Sequence, residues 1–141
     1  MKSIGFVGLG AMGSVMAPLP VHAGFSVTGF DPAARLDDDT GVIMANQLVD
    51  LAGCDAIVLM LPDGTVVTKV ATSLADAGFS GLIIDMSSSQ PEGTIALGKQ
   101  LAGRGICLID APVSGGRKKA ALGTLMVMAG GDASDLETAG K

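Results

Sequence analysis

Residues 8–13 read Gly8-Leu9-Gly10-Ala11-Met12-Gly13, a Gly-x-Gly-x-x-Gly spacing that follows a short apolar run and opens a helix-length stretch. In that setting the first glycine permits a tight turn and the second lets the backbone approach a pyrophosphate. The third lets the helix pack close to the strand, and the helix N-terminal N–H groups are left facing the phosphates. Asp31 lies 18 residues beyond Gly13, at the end of a second apolar run. That is near the distance at which an acid accepts hydrogen bonds from ribose hydroxyls and repels a 2′-phosphate. The two signals together predict a cradle for NAD. Arg35 is close enough in sequence to accommodate a 2′-phosphate, so NADP stays open, although a solvated arginine is the simpler reading. The competing interpretation, a plain strand-to-helix turn in another α/β fold, lacks a reason for the acid.

The elements needed to position these residues are visible in the apolar patterning. Residues 4–7, 27–30, 56–61, 82–85 and 106–110 are short β-branched or aliphatic runs, with a weaker one at 42–44. Such runs suit strands buried on both faces. Helix-length stretches at 11–23, 47–52, 65–76 and 91–103 alternate with them, which predicts a Rossmann-type α/β fold. Its sheet is doubly wound and mostly parallel, with helices on both faces, and residues 1–141 form one dinucleotide-binding domain. Residues 124–128 read as a last strand and 132–141 as a polar tail with little to bury. Pro18 and Pro20 fall inside the first helix, where each removes a backbone bond and crowds the preceding turn at a cost of roughly 3 kcal/mol. That helix should kink or end early, while its first turn survives. Residues 32–41 are short for a crossover helix, and Asp37, Asp38 and Asp39 read as a solvated turn rather than a calcium loop.

Composition narrows the function classes. The 141 residues carry 9 Lys+Arg against 14 Asp+Glu, a formal charge of −5, and 48% are hydrophobic against 16% charged. A packed domain follows and disorder does not. The acidic balance argues against a sequence-independent grip on nucleic acid. Cys54 and Cys107 stand apart with no metal-ligand spacing, so no metal site is read and both count as small core residues. The apolar run after Met1 meets glycine too early for a signal sequence or membrane span, and the expected location is the cytoplasm. His22, the single histidine, falls at the far end of the first helix and reads as a helix-terminal surface residue. The methionines, including Met60, Met86, Met126 and Met128, read as core filler. Arg117, Lys118 and Lys119 form a basic rim, either solvated or drawing an anion toward the cleft.

Four segments together resemble the β-hydroxyacid dehydrogenases, a family that includes 3-hydroxyisobutyrate dehydrogenase and tartronate semialdehyde reductase. The opening GFVGLGAMGSVMA is similar to their N-terminal fingerprint. Leu59-Met60-Leu61-Pro62-Asp63 resembles the loop after the fourth strand, and Asp85-Met86-Ser87-Ser88 the D-x-S-T loop after the fifth. Asp110-Ala111-Pro112-Val113-Ser114-Gly115-Gly116, the most specific match, resembles the substrate-binding segment. The resemblance implies that Leu61 and Pro62 line the nicotinamide side of the cofactor and that Ser88 contacts it from the next strand end. It implies that Ser114, Gly115 and Gly116 hold a small anionic substrate. Gly8, Leu9, Gly10, Ala11, Met12, Gly13 and Asp31 complete the cofactor set. All lie just after strands, where ligands of open α/β sheets bind, and Ser-Gly-Gly backbone N–H groups suit a carboxylate.

The family's second, helical domain carries a catalytic lysine in a G-x-x-x-K setting, and residues 1–141 contain no match to it. Lys118 and Lys119 do not correspond, so no catalytic residue is assigned. The expectation is therefore an NAD(P)-dependent oxidoreductase cofactor domain for a small 3-hydroxy acid or its semialdehyde, inactive alone. The surface left for the helical domain should be apolar and open to self-association. The alternative is a non-catalytic dinucleotide-binding or interaction module. A 6-phosphogluconate dehydrogenase or imine reductase would share the fingerprint, but the Asp110–Gly116 segment favours the hydroxyacid branch.

Overall fold

The computed structural model describes residues 1–88 and 90–139. Six strands, β1 (Ser3–Val7), β2 (Ser26–Phe30), β3 (Ile43–Met44), β4 (Ala56–Leu59), β5 (Leu82–Asp85) and β6 (Cys107–Asp110), form one sheet in the order β3-β2-β1-β4-β5-β6. Every pairing is parallel, with Ile4 opposite both Val27 and Ala56. This is the order of the dinucleotide-binding fold, and its direction reverses between β1 and β4.

Alternate residues of each strand feed two cores. Val7, Ile57, Leu59 and Ile83 pack with Val67, Ala71 and Leu74 of α3 (Gly64–Asp76) and with Leu97 and Leu101 of α4 (Pro91–Ala102). Ile4, Phe6, Val27 and Val58 pack on the other face with Met16 of α1 (Gly13–Met16) and Ala120 of α5 (Gly116–Leu122). Covered on both sides, the strands need no polar alternation, which explains their unbroken apolar runs. In α3 the buried positions 67, 71, 74 and 75 recur at helical spacing, and Asp63 Oδ1 accepts the Val66 N–H at 3.0 Å to cap the helix.

The prolines divide the first helix as expected. α1 stops at Met16 and α2 (Pro18–His22) restarts with Pro18 in its first turn, Ala17 between them keeping helical angles. The missing N–H groups of Pro18 and Pro20 break the ladder there. Residues 32–41 hold only a 3₁₀ turn, Asp38–Thr40, and the stretch at 47–52 forms a 3₁₀ turn, Leu48–Leu51, where an α-helix was expected.

Several other expectations are corrected. The strand expected within 124–128 is present as β8 (Met126–Val127), but it pairs antiparallel with β7 (Val113–Ser114) in a separate two-stranded ribbon and not in the main sheet. Met126 and Met128 are therefore 66% and 56% exposed rather than core filler. The polar tail forms α6 (Ala133–Ala139), which lays Leu136 and Ala139 against Leu82, Ile109 and Ala111. Cys107, first residue of the edge strand β6, is exposed, whereas Cys54 is half-buried beside the core. Among the described residues no helix is long and apolar enough to cross a membrane.

Candidate functional site

The turn after β1 places its three glycines in different surroundings. Gly8 has φ +98°, and a Cβ there would meet the Met60 carbonyl; a Cβ on Gly13 would meet the Gly8 carbonyl. These two glycines let β1, β4 and α1 touch through backbone alone. Gly10 differs, since a Cβ there has nothing within 4 Å and faces open space. Ser14 N–H bonds back to Gly10 O at 3.0 Å, beginning the helical ladder. Among the described residues the N–H groups of Gly10, Ala11, Met12 and Gly13 meet no protein acceptor. Four open donors beside an unfilled approach at a helix start fit an anion such as a pyrophosphate. Leu9 points the other way: its side chain is buried in the core and its N–H is already bonded.

That N–H goes to Asp31. Oδ2 of Asp31 accepts from Leu9 at 2.8 Å, while Oδ1 accepts from Ala33 at 2.8 Å and Ala34 at 3.0 Å. Burial pushes this carboxyl up, yet the three N–H bonds outweigh it and hold it below its ordinary value. Spacing marked Asp31 as a ribose acceptor but gave no sign that the same carboxylate braces the glycine turn. Acceptor capacity remains, because two carboxylate oxygens offer about four lone-pair sites. Arg35 is exposed beyond this turn, as are Asp37, Asp38 and Asp39.

At the ends of β4 and β5, Leu61 is half-buried with its side chain near Gly8, and Pro62 is exposed. Leu61 N–H donates to Ser87 Oγ at 2.8 Å, and Ser87 N–H donates to Asp85 Oδ1 at 2.9 Å. Both Ser87 and Asp85 are essentially fully buried. Ser87 thus sets the loop that carries Leu61, a role missed because a serine in a short polar run has no distinctive pattern. Ser88 is exposed at the same strand end.

Ser114, Gly115 and Gly116 are exposed where β7 passes into α5, with φ +136° at Gly115 and +73° at Gly116. Asp110, in register with Asp85 across β5 and β6, precedes them. Burial pushes the Asp110 carboxyl above its usual value, and the neighbouring Asp85 adds to the effect. Arg117 reaches back from α5, its Nε–H donating to the Ala11 carbonyl at 3.0 Å. The structure thus gathers residues 8–13, 31, 61, 62 and 88 at the carboxyl ends of the central strands, with 114–116 on the segment that follows β6. His22 is exposed at the end of α2, on the opposite end of the first helix from the glycine turn. No cluster of metal-binding side chains occurs among the described residues.

Comparison with known proteins places the fold within a family. Residues 3–141 match the family model described as the NAD binding domain of 6-phosphogluconate dehydrogenase. A probable 3-hydroxyisobutyrate dehydrogenase of Mycobacterium bovis is 39% identical over 144 residues, which cover 99% of this chain and 49% of that protein. The 2-(hydroxymethyl)glutarate dehydrogenase of Eubacterium barkeri is 39% identical over 136 residues, 90% of this chain and 45% of its own. The solved structure of Mycobacterium tuberculosis 3-hydroxyisobutyrate dehydrogenase with L-serine superposes with a TM-score of 0.93 at 38% identity, covering 99% of this chain and 50% of that one. The chain spans about half the length of the curated relatives it matches.

Proposed function

From the premise that this chain belongs to the family of NAD-binding domains of the 6-phosphogluconate dehydrogenase type, we propose that it is the cofactor half of an oxidoreductase acting on small 3-hydroxy acids or their semialdehydes. The observation that carries the cofactor site is the set of four unpaired N–H groups at residues 10–13, beside the open face of Gly10, where the sheet order reverses. These donors would hold the pyrophosphate, and Asp31 would accept from the adenosine ribose and disfavour a 2′-phosphate, giving preference for NAD over NADP. Leu61 and Pro62 would bound the nicotinamide, on a loop fixed by Ser87, with Ser88 beside it. When bound, the nicotinamide supplies hydride chemistry that side chains lack.

The substrate class rests on the Ser114–Gly116 turn and on the relatives' names. 3-Hydroxyisobutyrate, 2-(hydroxymethyl)glutarate and L-serine all carry a CH₂OH group on the carbon that bears a carboxylate. Backbone N–H groups of the turn and the Ser114 hydroxyl suit that carboxylate. Oxidation of the alcohol also needs an acceptor for its proton. The family resemblance implies a lysine of the helical domain in that role, within the further length that the relatives possess. Leu122, Met126, Val127 and Met128 are large apolar side chains left exposed, available for packing with such a partner segment or with a second copy.

Calorimetric titration of the chain with NADH and NADPH tests the cofactor site. Tighter binding of NADH is expected; failure of a folded chain to bind either nucleotide would overturn the proposal.

A further inference from the structure

We propose that Arg117 is a positioning residue that couples occupancy of the glycine turn to ordering of the Ser114–Gly116 turn; this rests on the cofactor site proposed above. Among the described residues, its 3.0 Å bond to the Ala11 carbonyl is the hydrogen bond that joins the 113–123 segment to residues 8–13. The carbonyl it binds belongs to the same peptide group as the Met12 N–H, one of the four open donors. A guanidinium on the oxygen side of a peptide polarises it and strengthens its N–H as a donor, so an anion on Met12 N–H and Arg117 on Ala11 O reinforce each other.

The second half of the coupling is packing. Arg117 lies one residue beyond Gly116, in the first turn of α5. Ala120 of that helix is fully buried against the cluster that contains Met16 and Ala17. The Gly115 backbone sits so close to Lys119 that a Cβ there would fall 2.8 Å from Lys119 Cδ. The turn therefore moves with α5, and beyond this packing α5 is joined to the glycine turn by the Arg117 hydrogen bond. Residues 117–119 are all exposed cations, so charge alone does not single out Arg117; its hydrogen bond does.

Amide hydrogen exchange of the 141-residue chain with and without NAD⁺ tests this. In the unaltered chain NAD⁺ is expected to slow exchange at residues 10–13 and also at 115–118. In Arg117→Ala, protection at 10–13 persists, protection at 115–118 falls by at least half, and NAD⁺ binds about threefold to tenfold more weakly, the range for loss of one hydrogen bond. Lys118→Ala removes the same charge without that bond and retains the coupled protection. Arg117→Gln, which keeps much of the stem, serves as the second variant if alanine loosens α5. Undiminished protection at 115–118 in both Arg117 variants, or its absence in the unaltered chain while 10–13 are protected, would overturn the inference. Absence of protection at 10–13 in the unaltered chain would instead overturn the cofactor site on which it rests.

Discussion

Oδ2 of Asp31 accepts the Leu9 N–H at 2.8 Å, so the acid that follows β2 holds the turn that follows β1. The same carboxylate thus fixes the shape of the glycine turn and, in the proposed cofactor site, would also meet the ribose. Asp31→Ala should lower NADH affinity at least tenfold and, by stranding partly buried N–H groups, cost about 1–2 kcal/mol of stability. Asp31→Asn keeps one oxygen acceptor and should recover more stability than affinity. Calorimetry with NADH and NADPH, paired with denaturant unfolding, separates the two, and the preference for NADH should narrow in both variants.

Gly10 and Gly13 should respond oppositely to a methyl group. Gly13→Ala drives a Cβ into the Gly8 carbonyl and should destabilise the fold by at least about 2 kcal/mol. Gly10→Ala meets nothing within 4 Å and should leave stability within about 0.5 kcal/mol. In the proposed cofactor site the added methyl would occupy the approach of the pyrophosphate, so NADH affinity should fall at least tenfold. Equal loss of stability and binding at Gly10 would contradict this division.

Neighbouring serines should differ as well. Ser87→Ala leaves the Leu61 N–H without its partner in a partly buried setting, at a cost of about 1–2 kcal/mol by denaturant unfolding. Ser88→Ala, at an exposed position, should change stability by less than about 0.5 kcal/mol while weakening NADH binding.

The carboxylates give pH effects of opposite sign. Asp55 accepts the Lys2 and Ser3 N–H groups, and these bonds hold its carboxyl below the usual 3.8. A depressed native value means stability that is present above the unfolded value and lost as pH falls through the native one. Asp55→Asn should therefore destabilise at pH 7 and converge with the unaltered chain as pH falls through the depressed native value of Asp55. Asp110 is raised above 3.8 by burial and by Asp85, so folding favours its neutral form, and that contribution is lost as pH rises through the native value. Asp110→Asn should raise the melting temperature at pH 7 and lose that advantage below about pH 4.

The strands themselves, the close backbone contacts at Gly8 and Gly13 and the split first helix follow from local pattern, because covered strands, tight glycine turns and prolines each leave a signature in a few adjacent residues. Ser87, Arg117 and the bracing of the glycine turn by Asp31 left none. Their partners are Leu61, Ala11 and Leu9, separated from them by 26, 106 and 22 residues, and only the folded sheet brings each pair together. The fate of residues 124–128 was ambiguous for a related reason. An apolar run of that length fits an inner strand or a ribbon, and the pairing with Val113 and Ser114 decides it. The tail was misjudged on its average polarity, although Leu136 and Ala139 suffice to dock a short helix.

Open parallel sheets offer two free margins at which another molecule could add a strand, and both are guarded in this fold. β3 has only two residues, Ile43 and Met44, too few to template an extended pairing even though Ile43 is 62% exposed. On the opposite margin, Gly130 exchanges both backbone bonds with Asp110, at 2.9 and 2.7 Å, and blocks the end of β6. The residues that follow β8 thus protect the sheet against edge-to-edge aggregation, and the region around Asp110 would be the first to lose that protection if the last turns of the chain were trimmed.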